Sequence, residues 1–313
     1  FLERVTRGRD IPRERLVDVG AHYRLFGGVS PINAQTRALV AALERELAER
    51  GPHLPVYWGN RNWHPFIADT VRRMRDDGVQ RALAFVTSAF SSYSSCRQYL
   101  DDLALARAEV GTDAPAIDKI RQYFDHPGFV EPMARNLQAA LATLPANVRD
   151  RARIVHTAHS IPISMAATSD YERQVRAAAR LVTERATPGR GYDVVWQSRS
   201  GPPQVHWLEP DIGDHIETLA AQGVPAAVIV PIGFISDHME VVYDLDTLAQ
   251  QRARDADLVV VRAATVGTDP AFVAAIRELI EERMDPELPR RALSDLGIRP
   301  DSCPAGCCPP GRR

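Results

Sequence analysis

The sequence predicts an α/β protein of the doubly wound class, built on parallel sheets. Three observations lead there. Short apolar, β-branched runs alternate with longer amphipathic stretches along the chain. Strand–helix alternation of this kind belongs to parallel sheets joined by right-handed crossovers. The units beginning at Arg81–Ser88 and Ala152–Ala158 are each a strand run followed by a helix pattern, so they read as equivalent pieces of two halves.

Taken in order, the strand runs are Pro55–Gly59, Arg81–Ser88, Ala152–Ala158, Asp193–Gln197, Ala226–Pro231 and Leu258–Arg262. The helical patterns between them are Asn33–Arg50, Pro65–Asp77, Cys96–Val110, Val130–Leu144, Tyr171–Ala186, Ile212–Gln222 and Pro270–Arg283. Asp170 and the pair Asp269-Pro270 supply N-cap chemistry, while Gly51, Gly78 and Gly223 close helices. The expected organisation is two Rossmann-like halves around a central cleft, with a seam near Pro145–Arg151. The first half is residues 1–149, with 270–298 packing back on it. The second is 150–269, and 299–313 form a cysteine-rich tail. Asp285–Arg313, rich in Pro and Arg, has too little apolar surface to fold alone.

Composition narrows the function. The chain has 313 residues, 45% hydrophobic and 25% charged, the balance of a soluble globular protein. Its longest apolar run, Val224–Ile235, is broken by Pro225, Pro231 and Gly233, far short of the roughly 18 residues that span a bilayer. A net charge of −2 gives nucleic acid no basic face to meet. Lys119 is the only lysine among 38 basic residues, so a single arginine carries little functional weight here. Four cysteines in a chain this long are no disulfide framework, which points to a reducing, cytoplasmic setting. Three of them, Cys303, Cys307 and Cys308, crowd the C-terminal end and suggest a soft metal.

In open α/β sheets, ligands sit beyond the carboxyl ends of the strands. Here those ends carry His159-Ser160-Ile161-Pro162, Ser198-Arg199-Ser200-Gly201-Pro202-Pro203, and Gly233 through Glu240. One sheet edge thus presents two histidines, two acids and stiff Gly/Pro loops to the same space. His159 reads either as a hydrogen-bonded loop histidine or as a base and ligand for a borderline metal. His156, within the strand, reads as structural. Glu240 and Asp244 are spaced i, i+4 on a helix starting near Asp237, which suits a coupled carboxylate pair or a solvated acidic helix start. The segment Tyr23–Asn33 holds a glycine pair, with Ser30 or Asn33 available to cap the next helix. No P-loop and no Gly-x-Gly-x-x-Gly fingerprint occurs, so nucleotide binding has no support.

Together these segments resemble the ferrochelatase family. The resemblance covers nearly the whole chain and rests on Tyr23–Asn33, Gly59-Asn60-Arg61-Asn62-Trp63, Thr157–Pro162, Gln197–Pro203 and, above all, the Gly-Phe-x-x-Asp-His-x-Glu-x-x-Tyr-Asp pattern at 233–244. The wording is similar to the actinobacterial branch. It implies a chelatase-like fold around a porphyrin cleft and insertion of Fe²⁺ into coproporphyrin III. Protoporphyrin IX is the alternative substrate, and a non-catalytic tetrapyrrole carrier is an answer of another class. The resemblance assigns His159 and Glu240 as the catalytic pair and as ligands of the incoming Fe²⁺. Asp244, Asp237 and His238 become a proton and metal relay, and Ser30, Tyr99 and Tyr23 become porphyrin contacts. A third acid of the family's ridge is replaced here by Leu248. The family's first strand would precede Phe1. The chain is expected to work as a cytoplasmic monomer with no nucleic-acid partner and no transmembrane segment. The resemblance also implies a [2Fe–2S] cluster on Cys96, Cys303, Cys307 and Cys308, four thiolates being what such a cluster takes; Zn²⁺ is the rival metal.

Overall fold

The computed structural model describes residues 2–5, 13–304 and 306–310; Ala305 and residues 311–313 of the expected tail lie outside them. Six strands form two parallel sheets. Strands β1 (Arg81–Ala84) and β2 (Ala116–Lys119) pair as a two-stranded sheet. Strands β3 (Arg153–His159), β4 (Tyr192–Gln197), β5 (Ala226–Val230) and β6 (Val259–Arg262) form a second sheet in the order β4-β3-β5-β6. This is the α/β architecture read from the sequence.

The second sheet is layered by the two-residue period of its strands. Ile154, Ala158, Val228 and Val230 face a core shared with the helices Tyr171–Ala186 and Pro127–Thr143. Val155, Val195, Ala227 and Ile229 face the opposite layer, packed on Ile212, Ile216, Leu219, Val241 and Leu245. Every residue of β5 is buried, as a central strand covered on both faces must be. The first core is continuous with Leu39, Leu43, Phe90, Phe124 and Ile276, so it reaches from the N-terminal helix Ile32–Arg50 to the last helix, Pro270–Met284.

That last helix packs on Ile32–Arg50 and Pro127–Thr143. A buried ion pair holds it there: Arg121 Nε meets Glu282 Oε1 at 2.5 Å, and Arg121 Nη2 also donates to the Arg291 carbonyl at 2.9 Å. Beyond the helix, the chain is fastened well before the tail cysteines. Ser294 Oγ donates to Asp125 Oδ2 at 2.5 Å, Arg299 pairs with Asp170 at 2.8 Å, and Arg290 pairs with Asp301 at 2.5 Å. The C-terminal segment needs no thiol anchor to reach residue 301.

Three elements differ from the sequence reading. Pro55–Gly59 forms no strand. Pro55 lacks an N–H for a ladder, and the following helix takes up the segment's polar groups: Thr70 Oγ1 donates to the Trp58 carbonyl at 2.8 Å and Tyr57 Oη to Asp77 at 2.8 Å. The missed strand is β2, whose Ala-Ile-Asp-Lys has too much charge to read as one; Asp118 lies opposite Arg81 and pairs with it at 3.2 Å. The helix expected from Cys96 opens instead with a π-turn, Tyr93–Arg97, capped by Ser92 Oγ on the Ser95 N–H at 3.1 Å.

Candidate active site at the strand ends

Strand β3 delivers His159 to the carboxyl edge of the sheet. Strand parity separates it from His156, which is fully buried against Thr183 (Nε2···Oγ1 2.7 Å) and pushed down to about 3 by burial. His156 is a neutral core histidine. His159 holds the Ser160 carbonyl with Nδ1 at 2.5 Å, which leaves Nε2 facing Glu240 Oε1 at 3.5 Å. Tyr171, almost fully buried, donates its hydroxyl to the His159 carbonyl at 2.9 Å and fixes the backbone behind the ring.

Burial alone would lower the His159 pKa. The charge and hydrogen bond of Glu240, the Ser160 carbonyl and the charge of Asp244 outweigh it and raise the imidazole to about 9. For Glu240 burial acts upward, but His159 and His238 bring it down to about 2. The two therefore rest as imidazolium and carboxylate, one proton between them. Asp244 goes the other way: burial and the nearby Glu240 charge raise it to about 6, against the opposing hydrogen bond from Ser198.

The acids stand where they do because the neighbouring strands hold their helix. Gln197, at the end of β4 and fully buried, donates Nε2 to the Glu240 carbonyl at 2.7 Å while its Oε1 accepts from Thr157 Oγ1 at 3.0 Å. Ser198 follows at φ +62°, a left-handed backbone rare for a residue with a side chain, and its hydroxyl donates to Asp244 Oδ2. Gly233 lets the β5 loop in: a Cβ there would lie 2.7 Å from Ala158 Cα and Cβ.

His238 caps the short helix Met239–Tyr243, its Nδ1 accepting the Glu240 N–H at 3.2 Å; burial lowers its pKa, consistent with a neutral acceptor. Asp237 faces Arg262, which bridges it at 3.2 Å and Asp246 at 2.6 Å, and its N–H donates to Gln35 Oε1 at 2.8 Å. Residues 244–249 continue the helix as a π-turn, with Leu248 exposed.

The N-terminal helix Arg13–Leu25 reaches the same place. His22 stacks on Tyr243, ring centroids 3.7 Å apart, and Tyr23 is raised to about 12 by burial and the Glu240 charge. Ser30 Oγ accepts from the Ile32 N–H at 3.4 Å. Tyr99 lies elsewhere in the network, on the helix Gln98–Val110 beneath the Arg61 guanidinium, 5.0 Å from its ring centroid. The structure thus brings His159, Glu240, Asp244, His238 and Tyr23 together. The supports the sequence reading left unnamed, Tyr171 and Arg262 among them, act through backbone groups or pairings that no motif announces.

The four cysteines are free and also gather. Cys307 and Cys308 have sulfurs 3.5 Å apart, Cys96 hydrogen-bonds Cys303, and Cys303 meets Cys307. Among the described residues, no three His, Cys, Asp or Glu side chains stand at metal-ligating spacing.

A parallel α/β fold carrying a histidine and facing acids at its strand ends defines an enzyme of the metal-chelatase class. Among solved structures, SirB from Bacillus subtilis with Fe3+ superposes with a TM-score of 0.56 at 16% identity, covering 80% of this chain and 92% of that one, a likeness of fold. The family model for Ferrochelatase matches residues 1–284, and the chain belongs to the ferrochelatase family. Its relatives include coproporphyrin III ferrochelatases of Frankia alni (55% identical, covering 100% of this chain and 82% of that protein) and Nocardia farcinica (53%, covering 100% and 92%). A third, from Streptomyces coelicolor, is 53% identical over 99% of this chain and 88% of its own length.

Proposed function

We propose that this chain inserts Fe²⁺ into coproporphyrin III to give Fe-coproporphyrin III on the route to heme, with His159 and Glu240 as the working pair. The ion pair at the end of β3 carries the reading, and the relatives' shared activity supports the substrate. In the reaction two pyrrole protons leave as Fe²⁺ enters, so the site needs a place for the metal and acceptors for protons.

The resting pair supplies both in sequence. Fe²⁺ approaching Glu240 offsets the negative charge that keeps the His159 imidazole protonated. The imidazole then releases its proton and becomes a neutral base whose Nε2 takes a pyrrole proton. Asp244, ionised above about 6, accepts from the same side and hands protons outward. Ser30, Tyr23 and Tyr99 are assigned to the porphyrin, and Asp237 and His238 to the path beside it. Gripping a bent macrocycle moves substrate toward the transition state and exposes its nitrogen lone pairs.

Coproporphyrin carries more propionates than protoporphyrin and suits an open polar mouth; among the described residues no helix is long and apolar enough to cross a membrane. The reading is of a cytoplasmic monomer with a first half at 1–149 and a second at 150–269. Anaerobic Fe²⁺ insertion with both porphyrins tests the substrate: kcat/KM should be higher for coproporphyrin III. A preference for protoporphyrin IX would replace the substrate, and insertion into neither would overturn the activity.

The donor set of Cys96, Cys303, Cys307 and Cys308, thiols only and in mutual contact, fits a [2Fe–2S] cluster. These four would hold it, and when bound it would supply a structural tie between the tail and the π-turn at Tyr93–Arg97. Burial and hydrogen bonds among the thiols raise Cys308 to about 12 and Cys96 further, so the sulfurs await a cation to become thiolates.

A further inference from the structure

We infer that Lys119 is the built-in counter-charge of the four-thiol site, that Gln122 is its hydrogen-bond donor, and that the two hold the reduction potential of the bound cluster up. The inference rests on the cluster reading and extends it to residues outside the donor set.

Lys119 ends β2 opposite Ala84 and is 7% exposed. Its ammonium donates to the Ile120 carbonyl at 2.8 Å, and among the described residues no carboxylate forms an ion pair with it. Asp118 beside it is taken by Arg81 and Arg283. A buried cation without an anion is costly, so such groups are normally paired. What Lys119 does face is sulfur: its charge favours the thiolate forms of both Cys96 and Cys303.

The residue type sharpens the point. Every other basic side chain in the sequence is arginine, yet this buried position holds the one lysine. An ammonium is a compact point charge, whereas a guanidinium is a planar fork suited to carboxylates. Three residues on, Gln122 is 3% exposed and donates Nε2 to Cys96 Sγ at 2.9 Å. A cation and a donor on the cluster's sulfurs both stabilise the added electron of the reduced form and raise its potential. The loop after β2 thus serves the sulfur site on one side while Arg121, between them, holds the last helix on the other.

The test uses the full chain purified anaerobically as wild type, K119M, K119R and Q122L. Iron and sulfide content, absorption, and midpoint potential from a dithionite titration followed by electron paramagnetic resonance are measured. Wild type should carry about two iron and two sulfide per chain. K119M should shift to a more negative midpoint and lose its cluster faster to a chelator, K119R should recover most of the potential, and Q122L should shift less in the same direction. If K119M does not fold, Q122L and K119R decide. Wild type with its cluster and variants at the wild-type potential would overturn the roles of Lys119 and Gln122 and leave the cluster reading standing. Wild type without iron and sulfide would overturn the cluster reading, and this inference with it.

Discussion

The molecule places reactive side chains at the carboxyl ends of parallel strands twice, and balances their charge differently each time. At the second sheet, His159 and Glu240 neutralise each other, and the surrounding hydrogen bonds go to backbone. At the first sheet, four sulfurs meet one ammonium and no acid. The first site is electrostatically complete as folded and is perturbed when a cation arrives. The second is incomplete and is finished by one. A site that turns over a metal has to release it, whereas a site that keeps a metal gains from being unfinished without it.

The largest expected effect breaks the complete site. His159→Ala should lower Fe²⁺ insertion by roughly 10²–10⁴-fold, the range of a well-placed base. Porphyrin binding, followed by fluorescence quenching, should stay within a few-fold, because Tyr171 and Ser160 hold the backbone rather than the ring alone. A variant within a few-fold of wild-type activity would remove His159 from the chemistry.

Next comes the element that ties the last helix beside the sulfur site without touching the strand-end pair. Glu282→Gln leaves the Arg121 guanidinium buried against a neutral amide. Removing one partner of a buried pair typically costs about 3–5 kcal/mol, readable by urea unfolding. Insertion by the remaining folded fraction should keep its wild-type rate. A loss below about 1 kcal/mol would mean that solvent reaches the pair.

The smallest effect separates Asp244 from its neighbour. Its folded pKa lies above the ordinary value, so the folded state binds the proton more tightly and this group's contribution to stability falls as pH rises from 3.8 through about 6. Asp244→Asn should therefore raise Tm at pH 8 and leave it nearly unchanged at pH 3. It should also remove the limb of the insertion pH profile near 6. A Tm gain equal at both pH values would assign the effect to packing.

Much of the strand-end site could be read from the chain because it follows local rules. A buried run that stops at a polar residue before proline marks β3 and His159, and the acids follow a glycine loop and a helix start. Elsewhere, long-range pairing decides. Ala116–Lys119 becomes a strand only because Arg81–Ala84 lies beside it, and Pro55–Gly59 fails as one because the next helix claims its carbonyl and hydroxyl. Tyr171 supports His159 from a helix that carries no motif, and Arg262 ties Asp237 to Asp246 across the β5–β6 connection. The lone lysine was visible as a composition oddity. Its meaning came only with the fold that set it beside Cys96 and Cys303.

The central claim, that His159 and Glu240 act as one proton-holding unit, is tested most directly by titrating the imidazole itself. Nuclear magnetic resonance on protein labelled at histidine, in wild type and Glu240→Gln, reports the ring's protonation across pH. The account predicts a wild-type His159 that titrates at about 9 and a Glu240→Gln ring that falls toward or below the ordinary value of about 6.5. A His159 that titrates near 6.5 in wild type, or stays near 9 once the carboxylate is gone, would contradict it.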